Sequence, residues 1–205
     1  MTDVNSNPEL GLRARKKQQT HKRICDAAVA LFVERGFNET TVEAIALKAD
    51  VSKPTLFNYF SSKLAILHEL IETIDTQFVQ FIDEALNSEA STEARLQKIM
   101  LRSANNVCEQ PAFTRLTLVE GLGAIGESDA TRSRFARLHS AMATLLEAGV
   151  EQNDVRTDYS IELMVQMLVG GYLYAILAWL NNQDKSLKKA MRDTASFLAE
   201  AVAPR

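Results

Sequence analysis

Apolar residues recur along most of this chain at the spacing that places them on one face of a helix. The first strong segment follows the i, i+3, i+4, i+7, i+8 pattern, and Gly36 stands where a left-handed residue would end that helix. Residues 1–12 are polar and include Pro8 and Gly11, so we expect them to fray. The apolar positions of the first helix are Ile24, Ala27, Ala28, Leu31 and Phe32.

Two shorter helices follow, each with a residue suited to cap its start. Thr40 can form a capping box with Glu43 at the start of the second helix. After a turn at residues 50–51, Ser52 can cap a third helix, in which Leu56 and Phe60 share one buried face. Three short helices, two of them joined by a tight turn, are typical of a helix-turn-helix.

The remainder of the chain keeps the helical pattern and shows no convincing pair of strands. Ser62 can cap a long fourth helix that ends near Leu86. Five further helices are expected at 92–109, 112–120, 128–153, 160–182 and 187–202. The predicted fold class is therefore all-α, with an N-terminal three-helix head and a C-terminal helical domain. The expected divisions are a flexible basic arm at 1–19, a helix-turn-helix domain at 20–62 and a helical domain at 63–205.

In a helix-turn-helix the second helix of the pair places its exposed side chains in the major groove of DNA. Since Leu56 and Phe60 must face the core, Lys53, Phe57 and Asn58 are expected to face outward. A lysine can donate to guanine O6 or N7, and an asparagine can bridge adenine N6 and N7. These side chains are thus candidates for contacts to bases.

Other polar side chains lie near helix starts, where hydroxyl and ammonium groups can hold phosphates. The candidates are Thr41, Ser52, Tyr59 and Lys63. The free backbone amides at the start of the fourth helix could also bind a phosphate oxygen.

The segments TTVEAIA at 40–46 and VSKPTLFNYFSSK at 51–63 resemble the signature of the TetR family of bacterial repressors. The resemblance is strong over about residues 15–70, and one departure is Asp50, where the family usually has glycine. It implies base contacts from Lys53, Thr55, Phe57 and Asn58, and phosphate contacts from Thr41, Tyr59 and Lys63. It also implies that residues 20–62 bind DNA and that residues 63–205 form an effector-binding and dimerisation domain. The homodimer would bind an inverted-repeat operator, and a small molecule in the C-terminal domain would change the spacing of the two N-terminal heads.

The charge distribution agrees with a polyanionic partner for the N-terminal part. The formal net charge is −3, yet six of the eleven residues from Arg13 to Arg23 are basic and none is acidic. This run could lie along phosphates or enter the minor groove, as arms of other helix-turn-helix domains do. A mobile, solvated tail is the alternative for the same composition.

Three other patterns in the sequence do not indicate a cofactor site, a metal site or a disulfide. The GxGxxG run at 121–126 is not part of a βαβ unit, which a dinucleotide site requires. The acidic residues that follow it would also repel a pyrophosphate, so we expect a loop between helices. His68 and Glu72 lie four apart, but no third metal ligand is evident. Cys25 and Cys108 show no disulfide or metal spacing, which favours a reducing, cytoplasmic setting. No cofactor, metal or catalytic group is expected.

The segment from Leu163 to Leu180 has one strongly polar side chain, Gln166, and its length is borderline for a membrane span. A helix that is apolar all round is also expected where one side meets the core and the other a second subunit. We favour the dimer interface, and Gly170 and Gly171 would permit a close approach of backbones.

The sequence therefore indicates a ligand-responsive transcriptional regulator, with a repressor as the favoured kind. The alternatives are a helical enzyme or adaptor that keeps a helix-turn-helix, a constitutive repressor without effector, and a membrane-tethered protein. The effector is expected to be hydrophobic or amphipathic, and its binding residues are not assigned. Apolar and aromatic candidates for pocket walls are Phe78, Phe81, Met100, Phe113, Phe135, Met142, Met167 and Tyr172.

Overall fold

The computed structural model describes residues 8–123 and 129–205, and this part of the chain is helical with no strand. The predicted all-α class is confirmed. The helices are α1 (Pro8–Arg35), α2 (Val42–Lys48), α3 (Lys53–Phe57), α4 (Lys63–Leu86), α5 (Thr92–Glu109), α6 (Pro111–Gly123), α7 (Asp129–Glu151), α8 (Ile161–Asn181) and α9 (Leu187–Val202).

The N-terminal helix is longer than the sequence pattern predicts. α1 begins at Pro8 and includes the basic run, whereas residues 1–12 were expected to fray and 1–19 to form a flexible arm. Pro8 is compatible with a first helical turn, and the arginine, lysine and glutamine residues that follow are good helix formers. Residues 11–19 are exposed, so helix propensity rather than burial accounts for this extension.

By its contacts, the chain divides into an N-terminal unit that ends at Ile71 and a C-terminal unit of Glu72–Arg205. We call them the head and the body. The division falls inside α4, which begins in the head and ends in the body. The head core contains fully buried apolar residues from α1, α2, α3 and α4, among them Ile24, Ile45, Leu56 and Ile66.

The start of α2 differs from the predicted capping box. Thr41, not Thr40, is the N-cap, and its side chain accepts a hydrogen bond from the Ala44 N–H. Thr40 is buried and its hydroxyl lies 3.2 Å from the Leu31 carbonyl and 2.8 Å from the Gly36 carbonyl. Thr40 therefore ties the loop before α2 to the end of α1 through these two carbonyls.

The turn between α2 and α3 places Asp50 in the left-handed region, with φ of 54°. The Val51 N–H donates to the Ala46 carbonyl and the Asp50 N–H to the Leu47 carbonyl, which is the Schellman arrangement of a helix end. Asp is one of the few residues other than glycine that populate this conformation readily. The departure from the family's glycine is therefore accommodated by the backbone.

The core of the body is built mainly from α5, α7, α8 and α9, with the second half of α4 packed beside them. α5 packs closely against α9, and α8 packs against both α7 and α9. α6 continues to Gly123, so the first residues of the GxGxxG run are helical rather than loop; residues 124–126 of that run lie outside the described part.

Among the described residues one helix, α8, is long and apolar enough to cross a membrane by length and composition. In this structure Met164, Leu168 and Ile176 of α8 are buried in the body core. The Cβ of an alanine at Gly171 would lie 3.0 Å from Leu198, so Gly171 is used for packing within the chain, whereas Gly170 faces open space.

Candidate DNA interface

The exposed side of α3 carries the three residues that the sequence predicts to face outward. Lys53, Phe57 and Asn58 are exposed, while Leu56 and Phe60 are buried. The expected orientation of this short helix is thus confirmed. A flat row of polar groups and one aromatic ring can enter a major groove without disturbing the core beneath it.

The predicted contact residues with hydroxyl groups at the starts of α2 and α3 already have hydrogen-bond partners in the free protein. Ser52 is the N-cap of α3: its hydroxyl accepts from the Thr55 N–H at 3.2 Å and lies 2.7 Å from the Thr55 hydroxyl. Thr41 caps α2 in the same way. A hydroxyl keeps a second lone pair after capping, so each remains able to accept or donate once more.

Lys53 is held by an acidic neighbour on α2. Its ammonium lies 2.5 Å from a carboxylate oxygen of Glu43 and 5.9 Å from the centre of the Phe57 ring. The hydrogen bond from Lys53 lowers the pKa of Glu43, which therefore stays ionised at neutral pH. Both side chains are more than half exposed, so this ion pair is weak and can open to a stronger anionic or guanine partner.

Lys63 occupies a different position from the one expected of a phosphate contact. Its ammonium donates to the carbonyls of Phe37 at 2.5 Å, Asn38 at 3.2 Å and Thr40 at 2.7 Å, and it lies 4.4 Å from the Phe37 ring centre. A lysine has three N–H donors, and here all three are engaged. In this arrangement Lys63 stabilises the loop between α1 and α2 and has no donor left for a phosphate.

Tyr59 is half-buried at the junction between α3 and α4. Its ring centre lies 6.2 Å from the ring of His21 on α1. Tyr59 is thus packed on one side, and it remains partly accessible at the edge of the candidate interface.

The exposed basic residues of α1 extend the positive charge of the head. Lys22 pairs with Asp26 at 2.7 Å, and Arg23 lies 3.7 Å from Asp50. No acidic residue lies between Arg13 and Arg23, so the first half of the run is the more strongly basic part. A helix that carries these charges can lie along a phosphate backbone.

Sequence reasoning missed one group of side chains in the head. The sequence shows no metal spacing around Cys25, but the structure places Cys25 and His21 beside Glu69 of α4. The available signal was the spacing of His21 and Cys25, four apart on one helix; nothing in the sequence shows that Glu69 packs against them. Burial raises the pKa of the Cys25 thiol to about 11.

The body contains two buried polar residues and two half-buried ones beside its apolar core, which we call the body polar cluster: Asp75 and Ser103, with Arg134 and Tyr172. Arg134 pairs with Asp75, and the Tyr172 hydroxyl lies 2.6 Å from that of Ser103. Desolvation raises the pKa of Asp75 in spite of Arg134, and it raises the pKa of Tyr172 to about 12. The phenol is therefore a neutral hydrogen-bonding group, and its ring packs 5.0 Å from that of Phe78.

The body also exposes large apolar side chains on α8 and α9. Tyr174 is 73% exposed and Phe197 68% exposed, and three further residues of α8 are also exposed: Leu163, Met167 and Leu177. Met167, an expected pocket candidate, thus belongs to the surface. We call these five residues the apolar face of the body.

Residues 24–70 match the family model described as bacterial regulatory proteins, tetR family. Over 168 residues the chain is 28% identical to YdeS of Bacillus subtilis, an uncharacterized HTH-type transcriptional regulator, and the match covers 79% of this chain and 80% of YdeS. The family match includes α2, α3 and every candidate contact residue from Thr41 to Lys63.

Two solved structures share the fold over nearly the whole chain. One is the transcriptional regulator FadR of Bacillus subtilis in complex with stearoyl-CoA, with a TM-score of 0.74 at 20% identity, covering 88% of this chain and 98% of that one. The other is FadR of Thermus thermophilus, a TetR-family repressor in complex with lauroyl-CoA, with a TM-score of 0.65 at 26% identity, covering 90% and 96%.

Proposed function

We propose that this chain, which belongs to the TetR family of bacterial regulatory proteins, represses transcription by binding an inverted-repeat operator as a homodimer. It releases that operator when an amphipathic acyl ligand, of the acyl-CoA class, binds the body. The observation that carries the proposal is the exposed side of α3, which presents Lys53, Phe57 and Asn58 above a fully buried Leu56.

In the proposed complex Lys53 and Asn58 contact base edges, with Thr55 and Phe57 beside them. Lys53 leaves Glu43 to reach guanine, and Asn58 bridges an adenine. Thr41, Ser52 and Tyr59 contact phosphates, as does the basic half of α1. Lys63 supports this surface indirectly, because its ammonium holds three carbonyls of the loop between α1 and α2.

The dimer is proposed to form through the apolar face of the body. Exposed aromatic residues such as Tyr174 and Phe197 are typical of interface cores, and contiguous apolar surface on a soluble chain marks a binding site. A two-fold axis through this face joins two heads, which then bind successive major grooves.

The ligand class is proposed from the relatives and from the body polar cluster. The two FadR structures hold stearoyl-CoA and lauroyl-CoA. In this chain Arg134 can bind an anionic or carbonyl oxygen, while the rings of Phe78 and Tyr172 can flank an alkyl chain. Because Asp75 lies on α4, a ligand that takes Arg134 from Asp75 acts on the helix that begins at the head.

A regulator that acts on the chromosome works in the cytoplasm and performs no chemistry on its ligand, and we propose both for this chain. The relatives with matching length are regulators. A helical enzyme with a retained helix-turn-helix would instead turn over its ligand without specific DNA binding.

The test begins with selection of DNA fragments from a random pool by the full-length protein, which should yield an inverted repeat. Affinity for that repeat is then measured by fluorescence anisotropy with lauroyl-CoA, stearoyl-CoA or coenzyme A alone. The acyl-CoA should weaken binding about 5–150-fold, the typical range of allosteric coupling, and coenzyme A alone should not. Operator binding that no acyl-CoA changes would contradict the ligand class and favour a constitutive repressor; failure to select any sequence would contradict the whole proposal.

A further inference from the structure

Three side chains of different chemistry converge between α1 and α4 of the head. His21 Nε2 lies 2.7 Å from Glu69 Oε1, and Cys25 Sγ lies 4.0 Å from His21 Nδ1. One ligand atom from each residue can be chosen so that all three lie within 4.8 Å of one another. The group thus contains an imidazole nitrogen, a sulfur and a carboxylate oxygen.

These donors match the requirements of a borderline divalent transition metal. Zinc is bound by cysteine, histidine and carboxylate at about 2.0–2.3 Å in tetrahedral sites, so two ligand atoms lie roughly 3.3–3.7 Å apart. Glu69 faces Nε2 of His21 and Cys25 faces Nδ1, so the side chains must rotate until one ring nitrogen serves both partners. The chosen ligand atoms lie within 4.8 Å of one another and must then approach by about 1 Å. Side-chain rotation can supply this, because His21 is 36% exposed and Glu69 44% exposed.

From this arrangement we infer that His21, Cys25 and Glu69 form a binding site for a divalent metal of the zinc class. The site takes one ion per chain with three protein ligands. A water or another small donor completes four-coordination, as in other sites with three protein ligands. This site does not depend on the acyl ligand proposed for the body.

Binding leaves the oxidation state of every atom unchanged. The Cys25 thiol is protonated in the free protein, so it releases its proton to solvent as the metal–sulfur bond forms. His21 contributes a ring-nitrogen lone pair, and its ring proton moves to or stays on the other nitrogen. Glu69 binds as a carboxylate that no longer accepts a hydrogen bond from His21.

The ion would join the helix that carries the basic run to the first part of α4. The His21 ring packs 5.0 Å from Phe60 and 6.2 Å from Tyr59, so fixing the imidazole also fixes the packing beside the candidate DNA interface. A bound metal should therefore stabilise the head and change its affinity for an operator.

Cobalt and zinc ions test the site directly, with tag-free, full-length protein that has been treated with chelator. Co²⁺ reports thiolate ligation through a near-ultraviolet sulfur-to-cobalt charge-transfer band and tetrahedral geometry through its visible bands. Zn²⁺ affinity and stoichiometry follow from competition with a chromophoric chelator. The variants are Cys25→Ser, His21→Gln and Glu69→Gln; the matched controls are Cys108→Ser and His139→Gln.

The wild type and both controls should bind one ion per chain and show the charge-transfer band. Cys25→Ser should lose the band, and each ligand variant should weaken Zn²⁺ by more than the roughly 10–100-fold that loss of an outer-shell partner costs. Because Glu69 is partly exposed, Glu69→Gln should keep the fold even if Cys25→Ser does not, and circular dichroism checks this.

Several results would overturn the site. These are absence of the band in the folded wild type, Zn²⁺ affinity that Glu69→Gln leaves unchanged, and loss of binding in Cys108→Ser or His139→Gln instead. Each of them is independent of DNA binding, so failure here leaves the proposed regulator function untouched.

Discussion

The head and the body both expose functional surface, but of opposite kinds. On α3 the head exposes Lys53 and Asn58, polar side chains that can bind base edges and are well hydrated when no DNA is bound. On α8 and α9 the body exposes Tyr174 and Phe197, which gain most by leaving water. The first surface fits a nucleic acid and the second a copy of the same chain.

Exposure alone therefore does not identify a binding surface; the chemistry of the exposed side chains identifies the partner. Similar side chains can also have opposite roles. Lys53 and Lys63 both lie in the family signature, yet Lys53 pairs with one exposed carboxylate while Lys63 holds three backbone carbonyls. The predictions that follow separate these surfaces and these two lysines.

The largest effect is expected from charging the apolar face of the body. The double variant Tyr174→Asp with Phe197→Asp should give folded monomers, because both side chains are mostly exposed in the single chain. A monomer binds one half-site only, so operator affinity should fall at least about 100-fold, or roughly 2.8 kcal/mol. Light scattering and anisotropy measure the two effects.

The control for the apolar face is Val119→Asp, which charges another exposed apolar residue, on α6. It should leave both mass and affinity unchanged. A double variant that stays dimeric would place the subunit interface elsewhere.

Base readout should be affected next most strongly. Asn58→Ala and Lys53→Ala should each cost about 1–3 kcal/mol at the selected operator and relax preference at one or two base pairs. Lys98→Ala removes an exposed charge from the body and serves as the control. Unchanged operator selection in both head variants would show that α3 does not read the bases.

Lys63→Met should act on stability rather than on readout. Loss of its hydrogen bonds to three carbonyls should lower the free energy of unfolding by at least about 1.5 kcal/mol, the low end for a single bond to a charged group, because water can replace the ammonium at this partly exposed site. Urea denaturation measures this, with the exposed Lys48→Met as control. If Lys63→Met were folded and of normal stability but bound all DNA sequences weakly, Lys63 would be a phosphate contact, as the sequence suggests.

The smallest effect concerns Glu43, which competes with DNA for Lys53. Glu43→Gln should strengthen operator binding about 1.4- to 5-fold, which is the factor that corresponds to the free energy of one exposed ion pair. Since Lys53 lowers the pKa of Glu43, the wild type should keep this competition as the pH falls through the ordinary glutamate range. Anisotropy at matched salt would detect it, and weaker binding by Glu43→Gln would mean that Glu43 orients Lys53 productively.

Much of the fold was predictable because its signals are local. The helices predicted at 187–202 and 92–109 agree with the structure at both ends, and Ser186 and Ser91 cap their first turns. Capping residues act within one turn, so the sequence alone displays them.

Features that depend on distant contacts were not predictable. Thr40 was expected to cap α2, but it bonds to carbonyls at the end of α1. Lys63 donates to carbonyls that lie 23 to 26 residues away in the sequence, and Glu69 of α4 contacts His21 of α1. Such pairings follow from how the helices pack, which the hydrophobic period of a single helix does not specify.

In the proposed assembly the polar surface of the head contacts DNA, while the apolar face of the body contacts a second chain. The mass of the complex between wild-type protein and the selected operator, by native mass spectrometry, tests it most directly. The account predicts an even number of chains on the inverted repeat, and much weaker binding to an isolated half-site. One chain bound to either fragment with equal affinity would contradict it.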